Sequence, residues 1–352
     1  MRTILTRIFS TFLAGAATLS VAAAPQLAGK VNAGAQNRPS VAAKAVSDKT
    51  STLLEGLKTR TIRTSSATFR TALSGAQYMP TKINVPMKAA GDVPTNMYGS
   101  IVYSDLFTQE SQVGLYTIPA TADGNSELIY SGIVAGYGGV EVEGIYYTSY
   151  YDDSYSWLGL IFSGVYGYDM ETGEKVFSYA TNGEDLSCLF PGGVTYDATT
   201  GNVYAISYTA AGNGYQFAKV EFGDNTMTVT PIAAINENFN SLAAAPDGTI
   251  YGISYVKGTK STLVKFDKNA GTYTEVGVTG MLPNYLSSAA IDPKTGRMFW
   301  NVCAADETGT LCEVDLTTGK ATLIYQFPGN DEVMGLTIPA PEAEDKAPAV
   351  AE

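Results

Sequence analysis

The stretch Ser287–Leu323, SSAAIDPKTGRMFWNVCAADETGTLCEVDLTTGKATL, decides the fold. It contains four short segments in which polar and apolar residues alternate, separated by turn sequences. We label them a (Ser287-Ser288-Ala289), b (Met298-Phe299-Trp300), c (Leu311-Cys312) and d (Ala321-Thr322-Leu323). Alternation with a period of two is typical of half-buried β-strands. The stretch therefore predicts four consecutive antiparallel strands.

The same four segments recur in the same order from residue 96 to residue 339. The apolar residue that ends segment a returns at steps of 46 to 54 residues. Copies of a end at Val140, Val194, Ala243, Ala289 and Leu336, and copies of b centre on Tyr98, Tyr146, Tyr204, Tyr251 and Phe299. Copies of c begin at Leu115, Val165, Phe217, Leu263 and Leu311, and copies of d begin at Leu128, Val176, Met227, Tyr273 and Ala321. A four-strand unit at this spacing is typical of a β-propeller blade.

The turns repeat as the pattern D-x-x-[TA]-G. In this pattern the Asp carboxylate can accept a backbone N–H two residues on, and the Gly can take the left-handed conformation that lets the second strand leave in register. Copies join a to b at 197–201 and 292–296, and join c to d at 169–173, 267–271 and 315–319. We interpret these Asp residues as turn formers and not as ligands.

The order of the copies predicts how the ring closes. The series begins with a b segment at Tyr98 and ends with an a segment at Leu336. We expect the C-terminal strand near Leu336 to pair with the N-terminal strand near Tyr98, because closure removes two exposed sheet edges. The prediction is an all-β, five-bladed propeller of four-stranded antiparallel blades. An irregular blade could be hidden in the longer step around Tyr150, which leaves the count open by one.

The repeated pattern of two small residues and an apolar residue, then D-x-x-T-G, then an aromatic-led strand, resembles the YncE-like and quinoprotein-like propellers of exported bacterial surface proteins. The resemblance covers about Tyr98–Pro339 and implies the fold. It implies no activity, because such propellers host many functions. The tail after Pro339 is similar to linkers that lead into fibronectin-III-like modules in bacterial surface proteins.

The flanking segments predict export. Residues 1–23 read as a signal peptide: Arg2 and Arg7 precede an apolar stretch, and Val21-Ala22-Ala23 places small residues before a cleavage site after Ala23. The stretch is shorter than the roughly 20 apolar residues of a membrane span, and no Cys follows it for lipid attachment. We expect a secreted, periplasmic or cell-surface protein with no membrane span after signal removal.

The mature chain divides into three segments of different composition. Residues 24–95 form a basic, low-complexity linker or pro-segment, for which a lipid- or partner-binding arm is the alternative. Residues 96–339 form the propeller, and residues 340–352 form a Pro/Ala/acidic tail or linker.

Charge and composition exclude several classes of function. Residues 1–95 carry a net charge of +9 and the rest of the chain carries −21. Because the chain after residue 95 is this acidic, we expect it to repel nucleic acid and anionic lipid. The 352 residues include no histidine, which excludes Ser-His-Asp and Cys-His nucleophilic pairs and any His metal ligand.

One b-to-c connection combines aromatic and acidic residues. Aromatic faces stack on sugar rings, and acids bind hydroxyls or calcium. The alternative is that alternate tyrosines fill the sheet interface while the acids mark a solvated loop. The candidate ligand-binding residues here are Tyr150, Tyr151, Asp152, Asp153, Tyr155 and Trp157.

The d-to-a connections are rich in Asn and acids. Five such loops should converge at one mouth of the ring, which makes this face the first candidate for a ligand or calcium site. Ordinary turn chemistry is the alternative, since Asn and Asp suit loops. The candidate residues are Asn182, Asp185, Asn236, Asn238, Asn240, Asn284, Tyr285, Asp331 and Glu332.

Two cysteines flank the turn at 306–309. If that turn is a four-residue loop, Cys303 and Cys312 are directly opposite each other and can form a disulfide, which export favours. Two buried thiols are the alternative. We expect Cys188 to be a buried, single cysteine.

Three functions remain open. The first is a non-enzymatic binding or scaffold module for a glycan or protein, with no catalytic residue and no cofactor. The second is a glycosidase-type enzyme that uses carboxylates alone, and the third is a calcium-dependent, lactonase-like hydrolase. Candidate acids for catalysis are Glu141, Asp152, Asp153, Asp185, Glu237 and Glu332.

Overall fold

A computed structural model describes residues 97–122, 124–152, 162–181, 185–256, 259–283, 287–304 and 308–339. The expected signal peptide, the basic segment and the C-terminal tail lie outside these residues. The described part contains twenty β-strands and one short 3-10 helix, Glu110–Gln112.

The strands form five four-stranded antiparallel sheets. Blade 1 contains β20 (Glu332–Thr337), β1 (Tyr98–Tyr103), β2 (Gly114–Thr117) and β3 (Glu127–Ser131). Blade 2 contains β4 (Gly139–Val142), β5 (Ile145–Asp152), β6 (Phe162–Asp169) and β7 (Lys175–Thr181). Blade 3 contains β8 (Val194–Asp197), β9 (Asn202–Tyr208), β10 (Tyr215–Phe222) and β11 (Met227–Ile235). Blade 4 contains β12 (Phe239–Ala244), β13 (Ile250–Val256), β14 (Lys260–Phe266) and β15 (Tyr273–Val278), and blade 5 contains β16 (Ser288–Ile291), β17 (Met298–Cys303), β18 (Gly309–Val314) and β19 (Ala321–Gln326).

The ring is closed, as predicted. Each a strand contacts the a strand of the next blade, from β4 through β8, β12 and β16 to β20 and back to β4. Strand β20 pairs antiparallel with β1, with Tyr98 opposite Thr337 and Ser100 opposite Met334. All six residues of β20 are buried. The predicted pairing of the two ends and the count of five blades are therefore confirmed.

Burial follows the position of each strand in its blade. The b strand β17 is buried at every residue, because apolar side chains of neighbouring blades cover both of its faces. The outer strand β7 alternates between exposed and more buried residues. The core is thus divided among the gaps between blades, and Trp300 fills one of them with its Nε1–H donating to Ser287 Oγ at 2.9 Å.

The repeated Asp residues form turns. Asp169 Oδ1 accepts the backbone N–H groups of Glu171 and Thr172 at 3.0 and 2.8 Å. The turn-ending Gly173 has a φ of 73°, in the left-handed region. The same bonds recur at Asp267 and Asp315, which confirms the structural interpretation of this pattern.

The expected disulfide between Cys303 and Cys312 is absent. Strand β17 ends at Cys303 and β18 begins at Gly309; Cys303 lies opposite Gly309 and Cys312 opposite Trp300. This register offsets the two cysteines by three positions and places their side chains on opposite faces of the sheet. The expectation was wrong because it placed the turn too far along the chain. Cys188 is buried and single, as expected.

Candidate functional site

The b-to-c and d-to-a connections lie at one end of the ring, which we call the upper face. Of the predicted ligand-binding residues, six lie outside the described part of the chain: Asp153, Tyr155, Trp157, Asn182, Asn284 and Tyr285. The other nine are placed as follows.

Tyr150 and Tyr151 belong to the core. The Tyr150 ring stacks on Tyr166 with 4.4 Å between centroids, and Tyr151 meets Tyr137 edge-on at 6.2 Å. Their exposed fractions are 7% and 6%. The alternative interpretation, in which tyrosines fill the gaps between blades, therefore describes these two residues, and neither ring is an exposed platform for a sugar.

Asp152 and Asp185 lie at the top of blade 2. Asp152 is buried beside the tyrosine pair. Burial raises the pKa of Tyr166, and the Asp152 carboxylate raises it further. Asp185 accepts the Ser187 N–H through Oδ1 at 2.9 Å, and its backbone oxygen accepts from Ser163 and Thr181. Asp185 thus shapes the connection into blade 3.

The three predicted asparagines of blade 4 differ in environment. Asn236 and Asn238 are exposed, whereas Asn240 is fully buried at the start of β12. Asn240 Oδ1 accepts from Ser241 Oγ at 3.3 Å. Within the described residues its Nδ2 has no hydrogen-bond partner, so only Asn240 of the three retains unused polar capacity inside the fold.

Two aspartates approach each other between blades 5 and 1. Asp105 accepts the Tyr103 hydroxyl at 2.6 Å and the Asn330 amide at 2.7 Å. Asp331 is 8% exposed, and its Oδ1 has no hydrogen-bond partner among the described residues. Burial raises the pKa of Asp331 to about 6; the Asp105 charge adds to the increase, and a hydrogen bond from Ser104 opposes it. Asp331 therefore gains its charge only near pH 6, well above the usual range of an aspartate.

We expect Asp331→Asn to be more stable than the wild type at pH 7.5 by about 2–3 kcal/mol. A carboxyl whose pKa is higher in the folded state stabilises the fold below its unfolded pKa, and this stabilisation is lost as pH rises through about 6. Urea denaturation at pH 4 and 7.5 measures the difference. The amide variant should match the wild type at pH 4, and an equal difference at both pH values would contradict the assignment.

The remaining predicted acids do not form one site. Glu332 is buried, with Cys303 Sγ 3.6 Å from its Oε1. Glu141 lies at the opposite end of the ring, where its Oε1 accepts the Gly144 N–H at 2.6 Å. Glu237 is exposed. No group of three or more Cys, Asp or Glu residues that could hold a metal ion occurs within the described ranges.

The central axis leaves little room for a ligand. Small residues of the five a strands line it, among them Gly139, Gly193, Ser241, Ser288 and Gly335, around a cavity of only about 10 Å³. The approach is so close that a Cβ on Gly193 would lie 2.4 Å from Leu242 N. The small residues of segment a thus serve packing around the axis.

A larger cavity lies between blades 1 and 2. It has a volume of about 340 Å³ and is lined by β3 and by the c and d strands of blade 2. Tyr130 forms one wall, held across the blades by its hydroxyl, which donates to Glu171 O at 2.6 Å. Tyr168 and Lys175 supply polar groups, whereas the Ser131 hydroxyl donates to Ser111 O at 2.7 Å. We call this cavity, lined by 129–133, Tyr168, Gly173 and Lys175, the interblade groove.

Two polar groups of the interblade groove are available to a ligand. The Lys175 ammonium lies 4.3 Å from the centroid of the Tyr166 ring, and no carboxylate in the described part of the chain pairs with it. Desolvation lowers the pKa of Lys175. The Tyr168 hydroxyl likewise has no hydrogen-bond partner among the residues described. An aromatic wall with a few polar groups is typical of small-ligand sites.

Sequence reasoning missed the interblade groove because its walls come from different blades. A signal was nevertheless present in the repeat. The residue before the c-to-d turn is Phe266 in blade 4 and Val314 in blade 5, but a tyrosine at position 168. The second residue after that turn is Tyr273 and Ala321 in the same two blades, but a lysine at position 175. Blades 4 and 5 have no hydroxyl at the first of these positions and no ammonium at the second, so the two groups of blade 2 mark a local role.

Comparison with known proteins finds only solved structures of low similarity. No family model and no curated protein matches the chain. Solved structures with similarity include TolB from Acinetobacter baumannii (10% identity, TM-score 0.40), a gluconolactonase from Xanthomonas campestris (14%, 0.32) and the PQQ-bound aldose sugar dehydrogenase from Streptomyces coelicolor (14%, 0.36). The matches cover 73%, 49% and 52% of this chain and 56%, 60% and 60% of those proteins. The chain thus spans less than two thirds of each, and these similarities carry no argument about its activity. The narrower YncE-like resemblance stays a prediction.

Among the described residues no helix is long and apolar enough to cross a membrane.

Proposed function

We propose that this chain is an exported, non-enzymatic binding propeller that recognises a glycan. The observation that carries the proposal is the interblade groove, an open cavity of about 340 Å³ with an aromatic wall and polar groups. Its volume lies within the usual range for small-ligand sites. The signal-like residues 1–23 support export.

The groove suits a sugar by its chemistry. Tyrosine rings offer flat apolar faces for the C–H faces of a pyranose, and hydroxyls donate to and accept from sugar hydroxyls. Tyr130 is rigid, because its hydroxyl bridges to blade 2 and its ring lies against Gly173, where a Cβ would come within 2.5 Å. A rigid wall loses little conformational entropy on binding.

A glycan array screened with the exported chain tests this function. Tyr130→Ala removes the aromatic wall of the groove from β3, and Tyr273→Ala removes a partly buried tyrosine from the equivalent outer strand, β15, of blade 4. The wild type and Tyr273→Ala should retain the same glycans, and Tyr130→Ala should lose at least tenfold in affinity. Retention of proteins but no glycan, or equal retention by both variants, would contradict the proposal.

A second candidate function rests on the two aspartates between blades 5 and 1. A buried carboxyl with a raised pKa near a second carboxyl is the arrangement that acid–base hydrolysis of glycosides uses. Asp331 would be the proton donor and Asp105 the base or nucleophile. Turnover of mixed aryl-glycosides that Asp331→Asn reduces at least a hundredfold would establish this function, and absence of turnover in the wild type would exclude it.

A further inference from the structure

We infer that the interblade groove selects an acidic sugar, a hexuronate unit, whose carboxylate pairs with Lys175 while its hydroxyls meet Tyr168. This inference rests on the proposed function and names the ligand class of the same site. It starts from the two polar groups that the repeat does not require.

The equivalent positions in blades 4 and 5 show whether the blade fold requires a lysine at position 175. The equivalent residues after the c-to-d turn are Tyr273 in blade 4 and Ala321 in blade 5, and both blades form the same turn without a lysine at this position. A cation at this position is therefore not part of the blade's structural pattern. Its ammonium lies over the Tyr166 ring, 4.3 Å from the centroid, which holds the charge at the groove and leaves N–H groups for an anion.

The same comparison between blades applies to the Tyr168 hydroxyl. Phe266 and Val314 occupy its position in blades 4 and 5, so packing between blades does not require a hydroxyl there. The Tyr168 ring is 5% exposed and meets Tyr166 edge-on at 6.2 Å, which fixes its orientation. A fixed hydroxyl beside a fixed ammonium favours a ligand that carries a carboxylate and neighbouring hydroxyls together.

The net charge of the protein limits the length of the acidic saccharide that can bind. The chain from residue 96 onward has a net charge of −21, which repels a long polyanion. A single cation in a small groove therefore favours a short acidic saccharide or the end of one. Charge-assisted hydrogen bonds are about twice as strong as neutral ones, so the carboxylate should dominate the selectivity.

Titration calorimetry at constant salt tests the inference with three probes: digalacturonate, the matching neutral digalactose, and benzoate. The wild type should bind digalacturonate at least tenfold more tightly than digalactose. Lys175→Gln should remove this preference, and Tyr168→Phe should weaken both sugars about threefold. The matched control Lys320→Gln removes a lysine beside the equivalent turn of blade 5 and should change nothing.

Equal binding of the acidic and neutral sugars would overturn the inference, as would a preference that survives Lys175→Gln or benzoate binding as tight as digalacturonate. Absence of binding by all three probes would overturn it too. If the array still shows glycans that Tyr130→Ala releases, the proposed function stands and only the acidic-sugar specificity fails. If the array shows none, the proposed function itself fails.

Discussion

Truncation before Glu332 is expected to abolish folding of the whole ring. The six residues of β20 are all buried, and Val333, Met334 and Leu336 each pack into the cores beside blade 1. Burial of three such side chains contributes roughly 5–9 kcal/mol, which is comparable to the net stability of about 5–15 kcal/mol of a typical domain. Loss of β20 also exposes the edge of β1, with which it pairs, and removes its contact with β16. Circular dichroism and size-exclusion chromatography would show an unfolded or aggregated chain.

Truncation after Pro339 is the matched control. It removes 340–352 and keeps every described strand. This shorter truncation should retain the melting temperature of the full chain. A cooperative melting transition after removal of β20 would mean that four blades suffice and that the ring does not depend on its closing strand.

Gly193→Ala is expected to lower the free energy of unfolding by about 2–5 kcal/mol. Gly193 has a φ of 102°, which costs an L-residue about 1–2 kcal/mol. A Cβ there would also lie 2.4 Å from Leu242 N and 2.8 Å from Ser241 C, in the neighbouring a strand. Backbone atoms cannot rotate away, so the clash adds an overpacking cost of roughly 1–3 kcal/mol. Chemical denaturation measures the loss.

Gly201→Ala separates strain from crowding. Gly201 has a φ of 68°, and a Cβ there would meet nothing within 4 Å. This variant should lose only about 1–2 kcal/mol, the cost of the left-handed backbone alone. If the two variants are equally stable, the a strands are not packed as closely around the axis as described here.

The fold could be predicted because every blade repeats the same local rules. A few residues are enough to identify each feature. Segment b at Phe299 identifies a strand of the blade, and Asp315–Gly319 identifies a turn. The series starts with a b segment and ends with an a segment, which predicts the closure. The disulfide could not be predicted, since its geometry depends on the register of one connection. A shift of three positions separated Cys303 from Cys312.

The candidate site was predicted less well, for a physical reason. Tyr150 and Tyr151 looked like ligand-stacking residues, but in a propeller the gaps between blades are filled by large side chains, and both rings lie there. The interblade groove is formed by side chains distant in sequence, such as Tyr130 and Lys175. Of these two residues, only Lys175 is marked in the sequence, by its departure from the repeat pattern.

Cross-linking of the two ends tests the closed ring most directly. Tyr98 and Thr337 are directly opposite across β1 and β20, so the variant Tyr98→Cys/Thr337→Cys should form an intramolecular disulfide under mild oxidation, seen as faster migration on a non-reducing gel. Tyr98→Cys/Ile338→Cys, one residue out of register, is the control and should cross-link far less. A first variant that stays reduced, or yields only intermolecular dimers, would contradict the closed five-bladed ring.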